Sequence, residues 1–102
     1  MKHTLKLEHI EISDMDRQQL EEKLDRLYKH LVPPYEVDVL IAHDKHHTQG
    51  DVIRCRINIE QTGRVYHVER SEGSVQDAID SVIAALRSEL LESHDRRKDH
   101  NA

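Results

Sequence analysis

The chain has little of what marks several classes of protein. Its 102 residues include no Trp, no Phe, three Tyr, one Cys, two Pro and three Gly. The single cysteine, Cys55, excludes an internal disulfide framework and is typical of a reducing compartment. No apolar run approaches the roughly 18 residues of a membrane span, and no signal-peptide core follows Met1. We therefore expect one cytoplasmic domain, without a membrane partner, whose core is built from Leu, Ile and Val.

The charge balance is acidic. Twenty Asp and Glu outnumber fifteen Lys and Arg, which gives a net charge of −5 with the nine His neutral. Tight binding to nucleic-acid phosphates is usually accompanied by a basic excess. The total does not exclude such binding, because charges of one sign can be gathered on one face.

Two helices are indicated by paired Ser-x-x-Asp motifs at 13–16 and 74–77. The serine hydroxyl can accept a hydrogen bond from the first turn, and the early carboxylate favours the positive end of the helix dipole. Leu20, Leu24 and Leu27 then recur at helical spacing, until Pro33 and Pro34 stop the first helix. The second helix carries an apolar stripe that ends at Leu90.

Alternation of apolar residues predicts three strands: Leu5 to Leu7, Tyr35 to Ile41, and Ile53 to Ile59. Val65 to Arg70 is predicted to be the returning strand of a hairpin. The phase changes near His9, where we expect an irregularity. Residues 43–50 are polar and predict a loop, and Gly63 suits a tight hairpin. The predicted fold is α+β, with the order β-α-β-β-β-α and two helices packed on one face of a four-stranded mixed sheet. We expect a single domain over residues 1–92 and a charged, frayed tail over 93–102.

Basic residues are grouped on the predicted helices. At 100° per residue, Lys23, Arg26 and His30 share one flank of the first helix, with Lys29 nearby. Arg87 and Lys98 share a stripe of the second helix, and Arg96, Arg97 and Lys98 form a short basic run. On the residues alone, an ordinary solvated surface with weak i,i+4 pairs is the preferred explanation of this pattern.

The chain resembles the short form of the bacterial ribosome hibernation-promoting factor and ribosome-associated inhibitor family. The resemblance spans nearly the whole sequence and the element order. It is carried by three stretches: Ile10-Glu11-Ile12-Ser13; Arg17 with Lys23, Arg26 and Leu27; and Ala78-Ile79-Asp80 followed by Ile83, Leu86 and Leu90.

This resemblance implies a fold similar to double-stranded-RNA-binding domains, no catalysis and no cofactor. It also implies binding to ribosomal RNA of the small subunit, which blocks translation or stabilises idle ribosomes under stress, with no role for DNA. The RNA-binding residues that we predict are Arg17, Lys23, Arg26, Lys29, Arg87, Arg96, Arg97 and Lys98. Contact with the phosphate backbone is expected, because few aromatic residues exist to stack bases.

Three basic positions of the family pattern are lost on the second helix, and Ser74 and Gln76 replace the family's usual Asp and Tyr at its start. Ala85, Ser88 and Glu92 stand where members of the family usually carry Lys or Arg. The alternative is therefore a diverged member that acts as a protein-binding module, with a protein partner on the open sheet face beside Arg54 and Arg56.

The sequence contains weak signals of two other kinds of site. His43, His46 and His47 lie close together with Asp44, but zinc sites normally need four converging ligands, and the usual Cys pairs are missing. His67 and Glu69 point the same way from one strand, but no nucleophile motif or glycine-rich phosphate loop accompanies them. We expect neither a metal site nor an enzyme.

Overall fold

The structure, a computed structural model, describes the backbone of residues 3–47 and 50–100 and the side chains of residues 3–45 and 52–92. The elements follow the predicted order. They are β1 (Thr4–Glu8), α1 (Asp14–Tyr28), β2 (Tyr35–His47), β3 (Gly50–Gln61), β4 (Arg64–Glu72) and α2 (Val75–His100). The α+β fold class is thereby confirmed.

Both predicted helix caps are present. The Asp16 backbone N–H donates to Ser13 Oγ at 3.0 Å, and the Asp77 N–H donates to Ser74 Oγ at 3.1 Å. Each serine therefore satisfies one of the donors that the first helical turn leaves without a partner. The caps fix where both helices begin.

Replacing Ser13 by Ala is expected to lower the free energy of unfolding by about 1 kcal/mol, because the Asp16 N–H loses its acceptor. Urea unfolding followed by circular dichroism measures this change. Ser88→Ala is the matched control, since Ser88 is exposed within α2 and should leave stability unchanged or slightly raised. Equal stability of the Ser13→Ala variant and the wild type would contradict the capping role.

The sheet has the strand order β1-β2-β3-β4. The β1 and β2 strands are parallel, as expected for a strand–helix–strand unit, and the other two neighbouring pairs are antiparallel. His9, immediately after β1, has φ = 57°, which confirms the irregularity predicted there. The Pro33-Pro34 peptide, after α1, is cis.

The predicted polar loop over residues 43–50 is wrong. The β2 strand continues to His47 and β3 starts at Gly50, so the two strands form a longer hairpin than their apolar alternation indicated. His43 pairs with Ile53 and Asp44 with Val52. The backbone ladder continues there because its hydrogen bonds join main-chain groups and do not require apolar side chains.

One core lies between the sheet and the two helices. Leu20, Leu24 and Leu27 from α1 meet the inner face of the sheet, and Ile79 and Leu86 approach it from α2. All five are at most 2% exposed. The helices therefore cover the same face, as predicted, and the opposite face is open to solvent.

The core also encloses Cys55, which is fully buried in the middle of β3. Burial raises the pKa of the Cys55 thiol to about 12. Since the thiolate is the reactive form, the buried group is inert at neutral pH, in agreement with the sequence.

The Cys55 thiol is expected to react with a disulfide reagent at pH 8 only after the protein unfolds. An unfolded cysteine has a pKa near 8.5 and is partly ionised at this pH, whereas the folded group remains protonated. The reaction rate should therefore follow denaturant concentration through the unfolding transition. Complete modification within seconds in native buffer would contradict the burial of this side chain.

The backbone of α2 is helical to His100, beyond the end of its apolar stripe at Leu90. The predicted fraying of residues 93–102 concerns residues whose side chains lie outside the described part of the chain. No apolar stripe accounts for the extension. The division into a domain over residues 1–92 and a separate tail remains a prediction.

Candidate nucleic-acid interface

A groove of about 490 Å³ runs between α1 and α2 on the solvent side of the core. Its floor is apolar and its rims are charged. The charged and titratable side chains that line it are Lys23, Arg26, Lys29, His30, Asp80 and Arg87. Four of the five predicted basic residues with described side chains therefore meet at one place.

The groove forms because basic residues border the apolar stripe of each helix on the side that faces the other helix. On α1, Lys23, Arg26 and His30 follow one another at three and four residues, so they share a face. On α2, Asp80 and Arg87 are seven residues apart, two turns along the same face. Four cations and one carboxylate give the groove a net charge of +3 with His30 neutral, in a protein whose total is −5.

Polar contacts join the helices at two places among their described side chains. Lys23 Nζ donates to Asp80 Oδ1 across the groove in a charge-assisted hydrogen bond. Closer to the helix N-termini, Gln76 Nε2 donates to Asp16 Oδ1 at 2.6 Å. The sequence did not reveal the Lys23–Asp80 pair, although Asp80 lies at the right helical spacing from Arg87 to face α1. Lys23 is therefore partly neutralised within the groove.

Arg17 is the predicted residue with a described side chain that lies away from the groove. Arg17 is exposed on α1 about 120° around the helix from Lys23 and does not line the groove. The side chains of Arg96, Arg97 and Lys98 lie outside the described residues, and only their helical backbone is described.

The lost basic positions of the family pattern lie beside the groove. Ala85, Ser88 and Glu92 do not line it. Ala85 is half-buried and packs against the core, whereas Ser88 and Glu92 are exposed. The loss of basic residues at these three positions therefore does not reduce the number of cations that line the groove.

The outer sheet face has a different electrostatic character. Arg54 Nε donates to Asp44 Oδ2 at 3.0 Å, and Arg54 Nη1 donates to Glu69 Oε1 at 3.4 Å. The hydrogen bond to Asp44, with the charges of both carboxylates, raises the pKa of Arg54 further above its usual range. The guanidinium is thus engaged by carboxylates of its own face.

The described residues provide no support for the alternative metal site or enzyme site. His67 Nδ1 is hydrogen-bonded to Asn58 Oδ1 on the outer face. Across the part of the chain whose residues are described, no group of three His, Cys, Asp or Glu side chains converges as metal ligands would. The side chains of His46 and His47, two members of the weighed histidine cluster, lie outside that part. Within the same described residues, no helix has both the length and the apolar character needed to cross a bilayer.

Comparison with known families decides the relationship. The profile of the family described as "Sigma 54 modulation protein / S30EA ribosomal protein" matches residues 4–98. The chain belongs to this family. The resemblance found in the sequence is thereby confirmed. Members of the family are ribosome-associated factors and are not a known class of enzyme.

Solved structures share the fold of this S30EA family member. The N-terminal domain of Protein Y from Thermus thermophilus superposes with a TM-score of 0.71 at 22% identity, covering 88% of this chain and 96% of that one. A ribosomal subunit interface protein from Coxiella burnetii gives a TM-score of 0.74 at 15% identity, covering 93% of this chain and 99% of that one. No curated protein sequence matches the chain significantly.

Proposed function

We propose that this chain is a cytoplasmic translation-silencing factor that binds ribosomal RNA of the small subunit through the groove between α1 and α2. The observation that carries the proposal is the gathering of Lys23, Arg26, Lys29 and Arg87 around one groove in an acidic protein. Membership of the S30EA family supports a ribosomal partner. The element order supports a fold suited to RNA.

The groove suits the phosphate backbone of RNA. Arginine and lysine side chains neutralise phosphates and release condensed counterions, which makes such binding strongly dependent on salt. The described residues that line the groove include no Phe, Tyr or Trp ring on which a base could stack. Recognition is therefore expected to follow the shape and charge of the RNA, with little reading of its bases.

Lys23 should contribute less to binding than Arg26, because Asp80 already neutralises it. Arg26→Gln should reduce the slope of log affinity against log salt by about one unit, the value of one phosphate contact. Lys23→Gln is expected to reduce the same slope by well under one unit. Binding titrations of both variants at several salt concentrations measure this difference. Equal changes in the two slopes would show that Lys23 leaves Asp80 to contact the RNA.

Arg17, Arg96, Arg97 and Lys98 remain predicted contacts. Arg17 would reach RNA from the other flank of α1, and the other three would extend the contact along α2 beyond the groove. Their exchange to Gln, one at a time, should give smaller losses than exchange of Arg26.

Sedimentation of the purified protein with isolated small ribosomal subunits tests the proposal. Comigration is expected at low salt, with progressive release as salt rises from about 50 to 200 mM. Isolated large subunits are the matched control and should retain little protein. Absence from the small-subunit fraction at low salt would overturn the proposed function.

A further inference from the structure

The β4 strand is an uncovered edge of the sheet. The strand order places β3 on one side of it and no described strand on the other. It is long for an edge, with nine residues from Arg64 to Glu72. An edge strand presents a row of main-chain N–H and C=O groups that another strand can pair with.

The register of the hairpin defines which groups face outward. Gln61 pairs with Arg64 across a two-residue turn, which makes them a hydrogen-bonded pair. Alternation then directs the main-chain groups of residues 64, 66, 68, 70 and 72 to β3. The groups of Val65, His67, Glu69 and Ser71 point away from the sheet, where another strand can meet them.

We propose that β4 pairs with β4 of a second copy of this chain, antiparallel, about a two-fold axis at Val68. In this register His67 lies opposite Glu69 and Val65 opposite Ser71, so outward-facing groups meet outward-facing groups. Arg64 lies opposite Glu72 at both ends, and Tyr66 lies opposite Arg70. Every charged residue thus faces an opposite charge, a titratable partner or an aromatic ring.

Neighbouring registers are unfavourable. A shift of the axis by half a residue would pair outward-facing groups with residues that already bond β3. An axis at His67 would place Arg64 opposite Arg70, and an axis at Glu69 would place that carboxylate opposite its own copy. Like charges directly opposite one another destabilise a sheet. Of these neighbouring registers, the one with its axis at Val68 avoids like charges opposite one another and keeps all of Arg64 to Glu72 paired.

The helices leave room for this arrangement. The α2 helix packs against both β3 and β4. Because strands lie about 4.8 Å apart, two copies of α2 over this part of the joined sheet would be about 10 Å apart, close to the usual distance of packed helices. At 100° per residue, the half-buried small residues Ser81 and Ala85 lie on the flank of α2 that faces away from α1. The RNA groove lies on the other flank and stays open.

The single chain already engages Arg70 and Glu69, which the pairing would also use. Arg70 Nη1 donates to the Glu69 main-chain oxygen at 2.8 Å, and the Glu69 side chain lies 3.4 Å from Arg54. The carbonyl oxygen has a second lone pair that can accept from His67 of the second copy. The Arg64–Glu72 pairs do not involve Glu69 and provide the test.

The experiment is sedimentation equilibrium at low salt on the full chain and on Arg64→Glu and Glu72→Arg. Wild type should show a concentration-dependent dimer. Each variant alone places like charges at both ends of the paired strands, and its dimer should be about tenfold weaker. An equimolar mixture should regain the wild-type affinity, because a carboxylate of one variant would then face a guanidinium of the other at both ends.

Recovery in the mixture can come only from contact between two chains. Residues 64 and 72 are about 27 Å apart along one strand, so they cannot pair within one copy. His67→Pro is a second variant: it removes an outward N–H that β3 does not use and should abolish the dimer while the fold is retained by circular dichroism. A monomeric wild type at about 1 mM, or a mixture no better than its components, would overturn the proposal. Neither result depends on ribosome binding.

Discussion

Charge reversal of Arg26 and Lys29 together is expected to weaken binding to small ribosomal subunits about 100-fold at roughly 100 mM salt. Both side chains line the groove, and within the described part of the chain neither has a carboxylate partner such as Asp80 is for Lys23. Each lost phosphate contact removes about one unit from the slope of log affinity against log salt. The introduced carboxylates add repulsion, so the slope should fall by about two units.

The matched control for this double change is Lys6→Glu with Lys45→Glu. It alters net charge by the same amount, but Lys6 lies on the outer sheet face and Lys45 on the β2–β3 hairpin, and both are exposed. Near-wild-type binding is expected. A loss equal to that of the groove variant would mean that total charge, and not the groove, governs the interaction.

The second large effect concerns stability. Leu24→Ala is expected to lower the free energy of unfolding by about 2–5 kcal/mol, because a fully buried side chain is removed and a cavity replaces it. For a domain of this size the loss corresponds to a fall in Tm of about 10–20 °C. Thermal unfolding followed by circular dichroism measures it directly.

Met15→Ala is the control on the same helix. Met15 is 68% exposed, so its truncation should change stability by less than about 0.5 kcal/mol. If the two variants unfolded at the same temperature, the assignment of the core face of α1 would be wrong. The comparison separates burial from the helix propensity of alanine, which is shared by both variants.

Local signals in the sequence predicted most of the fold. Ser13 and Ser74 mark the starts of both helices because a side-chain cap is a contact within one turn. The alternation from Val37 to Ile41 marks β2 because one face of the strand is buried. The outer parts of the β2–β3 hairpin were missed since residues 43–47 carry no such alternation, and their strand conformation follows from pairing with β3.

The sequence likewise predicted part of the candidate site. Helical spacing places Lys23 and Arg26 on one flank, but it does not show which flank faces α2 or how close Arg87 comes. The Lys23–Asp80 contact joins residues 57 positions apart and depends on the packing of the two helices. The separation of Arg17 from Lys23, in contrast, follows from helical spacing within α1 and could be predicted from the sequence.

The junction between α1 and β2 has a practical consequence. Tyr28 stacks on Tyr35 with ring centroids 5.6 Å apart, and its hydroxyl lies 3.1 Å from His3 Nδ1. Burial, with a smaller contribution from Asp25, raises the pKa of Tyr28 to about 12. Because tryptophan is absent, ultraviolet fluorescence comes from three phenol rings alone. Their emission is thus an intrinsic optical reporter of how the first helix docks, and no dye label is needed.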